Sequence, residues 1–311
     1  MPDCLIISAA ANDYAAAITR LADSPVSVTA CTTIERALHE YTDQSILFGN
    51  PDMIAKVIPE MASVDWVQST WAGITPLLAV GRRDYVLTGV KDVFGQQISE
   101  YVLGYLLAFE LKLLERMSAQ RERNWFDVFS GTLHGKHLCI LGTGSIGRHI
   151  AQTARHFGIT VTGVSRSGAA SPEFDAVITV AQLHSVLAET DYLVSVLPQT
   201  TATDGLIDQA ALARLPAHAY FVNVGRSNVV DDEALIDALQ NSKLAGAALD
   251  VFDEEPIPQD SPLWDAPNLS ITAHIGALSH PSLIVPIFLE NYRRYTNKQP
   301  LKYTVDFDAG Y

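Results

Sequence analysis

Short apolar runs separated by stretches of helical spacing recur along this chain. Leu5–Ser8, Val26–Val28, Ser45–Phe48, Val64–Thr70 and Tyr85–Thr88 have strand length, with helical stretches between them, Tyr14–Leu21 among these. The pattern resumes with His137–Leu141, Thr160–Val164, Asp191–Leu197, Ala219–Val224, Leu244–Leu249 and Leu269–Ala273. Runs this apolar suit strands buried on both faces. Strands that alternate with helices build a parallel sheet covered on both sides. The predicted fold class is therefore α/β, with two doubly wound parallel-sheet domains. A length of 311 residues suits that number.

Between the two series, Ile98 to about Met117 reads as one long helix whose first turns are apolar nearly all round. Such a helix needs cover on both sides, which predicts a domain junction or a subunit interface. The polar stretch Ser118–Asn124, followed by Trp125 and Phe126, reads as an arm reaching outward, and a homodimer is expected.

The strand-like run at His137–Leu141 is followed by Gly142-Thr-Gly144-Ser145-Ile146-Gly147 and then by a helix with Ile146, Ile150, Ala151, Ala154 and Phe157 on its buried side. Strand, glycine turn and helix are the context of a dinucleotide-binding fingerprint. Gly142 permits the sharp turn, Gly144 the approach of a pyrophosphate, and Gly147 close helix-on-strand contact. At the end of the next strand, NAD sites usually carry an acidic residue for the 2′-hydroxyl. Here stand Ser165, Arg166 and Ser167, an arginine and two hydroxyls that suit a 2′-phosphate, so NADP(H) is expected over NAD(H).

Three further residues follow strand ends and so belong to the same sheet edge: Arg226, a carboxylate in the cluster Asp253-Glu254-Glu255, and His274. Reduction of a 2-keto acid needs a cation to hold the carboxylate and polarise the keto oxygen, and arginine supplies a fork that does not titrate away. It needs an acid for the developing alkoxide, for which histidine titrates near working pH. It also needs a carboxylate to orient that imidazole. Arg226, His274 and Glu255 fit these roles in that order. Taken singly, each also fits an ordinary ion pair or turn; the conjunction on one edge sets them apart.

Thr70-Trp71-Ala72-Gly73 follows an N-terminal strand, where backbone N–H groups can face a carboxylate. An ordinary strand-to-helix turn fits it equally well. Asp231 and Asp232 precede a helical run and read as N-capping residues. His280, in a Ser-His-Pro turn, is a weaker candidate acid, and no role is assigned to His39, His134, His137, His149, His156, His184 or His218.

The net charge of −14 argues against nucleic-acid binding, and it means that an anionic substrate must find a locally positive pocket. Cys4, Cys31 and Cys139 lack metal-ligand spacing and read as small core residues, so neither a metal site nor a disulfide framework is expected. No secretory signal is evident. The longest greasy stretch, Leu103–Leu114, is interrupted by Glu110 and Lys112 and is too short to span a bilayer, so no membrane association and a cytoplasmic location are expected.

The chain resembles the D-2-hydroxyacid dehydrogenase family over most of its length. The likeness rests on Leu141–Gly147, Val222-Asn-Val-Gly-Arg-Ser227, Ala248-Leu-Asp-Val-Phe252, Glu255-Pro256, Ser261-Pro-Leu-Trp264, Pro267-Asn268 and His274-Ile-Gly276, in the family's order and spacing. Within the family it is most similar to the glyoxylate/hydroxypyruvate reductase A type, including the tail Asp308-Ala-Gly-Tyr311. The resemblance implies a Rossmann coenzyme domain at 95–279, carrying the dimerisation helix and arm, inserted in a flavodoxin-like substrate domain of residues 1–94 and 280–311. It implies Arg226 as the clamp on a small anionic 2-keto or 2-hydroxy acid, His274 as proton donor and Glu255, directly before the proline, as its partner. It places Trp71, Ala72 and Gly73 around the substrate carboxylate. It also places Ser145, Ile146, Leu197, Pro198, Thr203, Val224, Gly225 and Gly276 about the cofactor, Asp250 at the nicotinamide amide, and Trp125 near a partner's active site. Two departures stand out: no acidic residue at Ser165, and threonine at position 75 where many relatives carry Asp or Asn. Formate dehydrogenases have glutamine where Glu255 stands, which excludes that branch. A nucleotide-sensing, corepressor-like binding protein of the same fold is the alternative.

Overall fold

The computed structural model describes residues 2–308 and 310; Ala309 and Tyr311 of the tail motif lie outside the described residues. The chain divides into two compact units, one running through Val93 and resuming at Ser279, the other Phe94–Leu278.

The first unit alternates β1 (Cys4–Ile7), α1 (Ala11–Leu21), β2 (Val28–Cys31), α2 (Ile34–Glu40), β3 (Ile46–Gly49), α3 (Pro51–Val57), β4 (Trp66–Ser69), α4 (Thr75–Ala79) and β5 (Val86–Thr88). All five strands are parallel, in the order β2-β1-β3-β4-β5. The second strand falls on Val28–Cys31 and not on Val26–Val28. Pairing decides this: Cys4 lies opposite Val28, and the Cys4 N–H donates to Ser27 O at 3.0 Å.

The second unit opens with α5 (Gly95–Glu110) and α6 (Leu113–Arg121) and continues through β6 (His137–Leu141), α7 (Ser145–His156), β7 (Thr160–Ser165), β8 (Ala176–Thr179), β9 (Tyr192–Ser195), α8 (Gln209–Leu212), β10 (Tyr220–Asn223), α9 (Asp232–Gln240), β11 (Gly246–Leu249) and β12 (Leu269–Ile271). Its seven strands are parallel in the order β12-β11-β10-β9-β6-β7-β8. Connections lead one way from β6 through β7 to β8 and the other way from β9 outward. The crevice at the carboxyl ends of β6 and β9 is thus a topological switch point, where such sheets take ligands. The doubly wound α/β reading holds for both units. The partly exposed edge strand β8 is an addition to the sequence-based assignment.

The expected single helix Ile98–Met117 is two helices. Lys112 adopts a left-handed conformation, φ 51°, and breaks it between α5 and α6. The cause is tertiary. The Arg116 guanidinium donates to Leu111 O at 2.8 Å and to Val128 O at 2.6 Å, and lies over the Phe126 ring at 5.5 Å. The break lets α6 and the following segment fold around that one cation. The polar stretch begins inside α6, so only its last residues, from Glu122, belong to an arm. Ile98, Val102, Leu103 and Leu106 of α5 are buried, whereas Leu111, Leu113, Leu114 and Met117 are exposed, and Trp125 and Phe129 are more than nine-tenths exposed.

After the second unit, α10 (Pro281–Thr296) completes the first. Phe288 stacks on Phe48 with centroids 4.5 Å apart and on Trp66 at 5.6 Å, covering the sheet face opposite the core of Leu5, Ile7, Leu47 and Val67. A buried polar chain fixes the docking. Asn291 donates to Gln68 Oε1 at 3.1 Å, and the same oxygen accepts from Thr88, which accepts from Trp66 Nε1 at 2.8 Å. Cys4, Cys31 and Cys139 are buried, as expected of small core residues. No helix among the described residues is long and apolar enough to cross a membrane.

Candidate active site

Parallel pairing puts the ends of the strands level. Leu141 stands opposite Val164 and Ser195, Asn223 opposite Ser195 and Leu249, and Leu249 opposite Ile271. These strand ends and the segments that follow them hold every candidate site residue of the second unit. Gly142 turns with φ +109°, which few side-chain-bearing residues adopt. A Cβ on Gly147 would stand 1.9 Å from Gly142 O, so the turn closes onto the start of α7 only with glycine there. A Cβ built on Gly144 would meet nothing within 4 Å, which leaves its backbone open to an approaching ligand. Ser145 and Ile146 head α7, where the first N–H groups have no helical acceptor and favour anions.

Ser165 is the last residue of β7, and Arg166 and Ser167 follow it. Ser165 Oγ accepts from Gly168 N–H at 3.1 Å and Ser167 Oγ from Ala169 N–H at 3.2 Å, so both hydroxyl hydrogens are left to donate. Arg166 is exposed and makes no ion pair among the described residues. Leu197 and Pro198 lead out of β9. Thr203 is occupied within that loop, its hydroxyl bonding Pro198 O at 2.8 Å and Thr200 O at 2.9 Å.

Val224, Gly225 and Arg226 leave β10. The side chain of Asn223, fully buried, brackets their turn: Oδ1 accepts from Gly225 N–H at 3.1 Å and Nδ2 donates to Arg226 O at 2.9 Å. Sequence reading missed this bracket, although a polar residue ending an apolar strand is a visible signal. Arg226 Nη1 donates to Gly225 O at 2.6 Å. Burial lowers the guanidinium from its usual range, and the nearby Glu255 carboxylate favours its charged form.

His274 sits beyond β12 in a left-handed conformation, φ 53°, with its side chain about half exposed. Its Nδ1 lies 2.9 Å from Glu255 Oε2 and 3.2 Å from Oε1. A carboxylate only accepts, so Nδ1 carries hydrogen and Nε2 is left to face outward, without a hydrogen bond among the described residues. Phe252 N–H donates to Glu255 Oε1 at 2.9 Å and fixes that carboxylate in turn. Asp250, directly after β11, is buried. Imidazole and carboxylate thus meet, and the guanidinium feels the same carboxylate.

Trp71, Ala72 and Gly73 belong to the first unit, after β4. Ser69 Oγ accepts the Trp71 N–H at 3.0 Å, so that donor is committed. The N–H groups of Ala72 and Gly73 make no such bond among the described residues. His280 stands at the N-cap position of α10. His137, His149 and His218 have partners that the sequence does not reveal: Thr162 and Glu189, Ser99, and Asp191, respectively.

Of the two N-terminal aspartates of α9, only Asp231 caps, its side chain accepting from Ala234 N–H at 3.0 Å. Asp232 is the first helical residue, and burial, with Asp253 and Asp231 adding, pushes its carboxyl up to about 6. An acid raised in the folded state penalises folding above that pH, and the penalty vanishes below the unfolded value near 4. Asp232→Asn should therefore stabilise the protein at pH 8 by on the order of 1 kcal/mol after allowance for screening. The gain in Tm should disappear at about pH 3.5. An equal gain at both values would assign it to another cause.

The family model for the D-isomer specific 2-hydroxyacid dehydrogenase NAD binding domain matches residues 103–276. A glyoxylate/hydroxypyruvate reductase A of Klebsiella pneumoniae is 31% identical over 217 residues, 70% of each chain. A D-isomer specific 2-hydroxyacid dehydrogenase family protein of Aeromonas salmonicida superposes with a TM-score of 0.94 at 39% identity, covering 98% of this chain and 99% of that one. An NADPH-dependent glyoxylate/hydroxypyruvate reductase of Sinorhizobium meliloti, solved with NADP and sulfate, gives a TM-score of 0.87 at 25% identity over the full length of both.

Proposed function

This chain belongs to the D-isomer specific 2-hydroxyacid dehydrogenase family, and from that premise we propose that it is an NADP(H)-dependent reductase of small 2-keto acids of the glyoxylate and hydroxypyruvate kind. The observation that carries the reading is the His274–Glu255 pair, with Nε2 free, on the sheet edge that also bears Arg226 and the glycine turn. The second unit is the coenzyme domain, and the first, with its open Ala72 and Gly73 amides, is the substrate domain.

The residues fit the cofactor. The open backbone at Gly144 and the start of α7 would hold the pyrophosphate, and Arg166 with the Ser165 and Ser167 hydroxyls would hold a 2′-phosphate. When bound, the reduced nicotinamide supplies the hydride. Arg226 would grip the substrate carboxylate and polarise the keto oxygen with a charge that its surroundings do not remove. His274 would give its Nε2 proton to that oxygen, while Glu255 holds the ring in place and balances the imidazolium. Asn223 keeps the Arg226 turn in register.

The exposed apolar residues of α6 and the segment after it, Trp125 and Phe129 among them, are the basis for a homodimer formed by a second copy of the chain. Trp125 is the residue expected to reach a partner's pocket.

The purified protein should oxidise NADPH on addition of glyoxylate or hydroxypyruvate, with pyruvate and phenylpyruvate as size probes. Tight NADPH binding without turnover on any of the four would replace the reductase reading with the sensor. Arg166→Ala should raise the KM for NADPH by at least about tenfold, the usual worth of one charge-assisted contact, and that for NADH by less than about twofold. Equal changes would remove Arg166 from the 2′-phosphate site.

A further inference from the structure

Asp250 is 2% exposed and has no cation beside it within ion-pair distance among the described residues. A buried carboxylate in that position must be held by hydrogen-bond donors. Three are present. Oδ1 accepts from the Thr272 hydroxyl at 2.6 Å and from Ile275 N–H at 2.9 Å, and Oδ2 accepts from Gly276 N–H at 2.8 Å. Two of the donors are the backbone amides directly after His274, and a Cβ on Gly276 would stand 2.9 Å from Asp250 Oδ2. Asp250 therefore pins the turn in which His274 takes its positive φ.

The arrangement continues one step further, with its direction fixed. The Thr272 hydroxyl hydrogen is spent on Asp250, so its oxygen accepts from Tyr101 OH, 2.6 Å away. Burial raises the Tyr101 phenol above its usual value and keeps it a donor. Tyr101 lies on α5, where its ring packs on Tyr105 at 4.8 Å. A hydroxyl line thus runs from α5 through Thr272 to Asp250, and ends on the amides that shape the His274 turn.

We propose that Tyr101 and Thr272 are positioning residues which, through Asp250, set the conformation of the His274 turn and so the aim of its imidazole. The consequence for turnover rests on the reading of His274 as proton donor; the consequence for the turn does not. A plain brace between helix and strand would instead add stability without favouring the hydroxyl chemistry.

The test uses the full-length protein with Thr272→Val, Thr272→Ser and Tyr101→Phe, each followed by steady-state kinetics and by amide hydrogen exchange. Thr272→Val should lower kcat about tenfold and Tyr101→Phe about threefold, with the KM for NADPH within about twofold. Thr272→Ser, which keeps the hydroxyl, should retain at least about half of the wild-type kcat. Exchange at Ile275 and Gly276 should speed up about tenfold in Thr272→Val and remain unchanged in β6. Valine and serine variants that behave alike, or a kcat loss accompanied by faster exchange everywhere, would overturn the proposal. If the wild-type protein reduces no 2-keto acid, the reductase reading fails. Exchange at Ile275 and Gly276 then decides by itself: faster in Thr272→Val upholds the positioning, unchanged overturns it.

Discussion

Replacing His274 with glutamine should lower kcat about 10³-fold and leave the affinity for NADPH within about twofold, since positioned general acids contribute about 10²–10⁴ in rate. The imidazole is held through Nδ1 by Glu255 at 2.9 Å, and that carboxylate is itself fixed by the Phe252 amide. Glutamine has similar reach and hydrogen-bonding capacity but cannot release a proton from the position Nε2 occupies. Its effect therefore separates proton delivery from binding. The measurement is steady-state kinetics with glyoxylate or hydroxypyruvate, beside a direct titration of NADPH. A loss of kcat smaller than about tenfold would remove His274 from the role of proton donor.

Arg226→Gln should cost about 10³-fold in kcat/KM, roughly 4 kcal/mol of transition-state stabilisation. Two effects lie behind so large a figure. The guanidinium is substantially buried yet favoured in its charged form by Glu255, so its charge acts where water screens it little. In the proposed role it would also serve both substrate carboxylate and keto oxygen, so binding and chemistry should fall together. Arg226→Lys should recover little of the loss, because a point charge replaces a planar fork. Exogenous guanidinium restoring part of the activity to a small-residue variant at this position would add support. If kcat/KM for Arg226→Gln falls by less than about tenfold, roughly 1.4 kcal/mol, the clamp role is wrong.

Much of the α/β fold was legible because its strands are buried on both faces. Runs such as Leu138–Leu141 and Phe221–Val222 carry no polar alternation and bound themselves with glycine, proline or a polar residue. The edge strands were harder. Ala176–Thr179 is partly exposed and too short and mixed to announce itself, and β2 slid by two residues because its register is set by β1. The Lys112 break was invisible for a different reason. No glycine or proline marks it, and the group that induces it, Arg116, acts through carbonyls up to twelve residues away, at Val128.

The glycine spacing, the missing acidic residue at Ser165 and the strand-end positions of Arg226, Glu255 and His274 are properties of the sequence alone. A parallel sheet sends every strand's carboxyl end to one edge, so order along the chain is enough to place them there. What order cannot supply is the direction of each side chain and the partner that holds it. That Trp71 N–H is committed to Ser69 while the Ala72 and Gly73 amides stay open was settled only when the strand and its turn closed on each other. The same holds for Asn223 bracketing the Arg226 turn and Asp250 gathering the amides beyond His274. Hydrogen bonds of this kind join residues remote in sequence, and their geometry exists only once packing has fixed both ends.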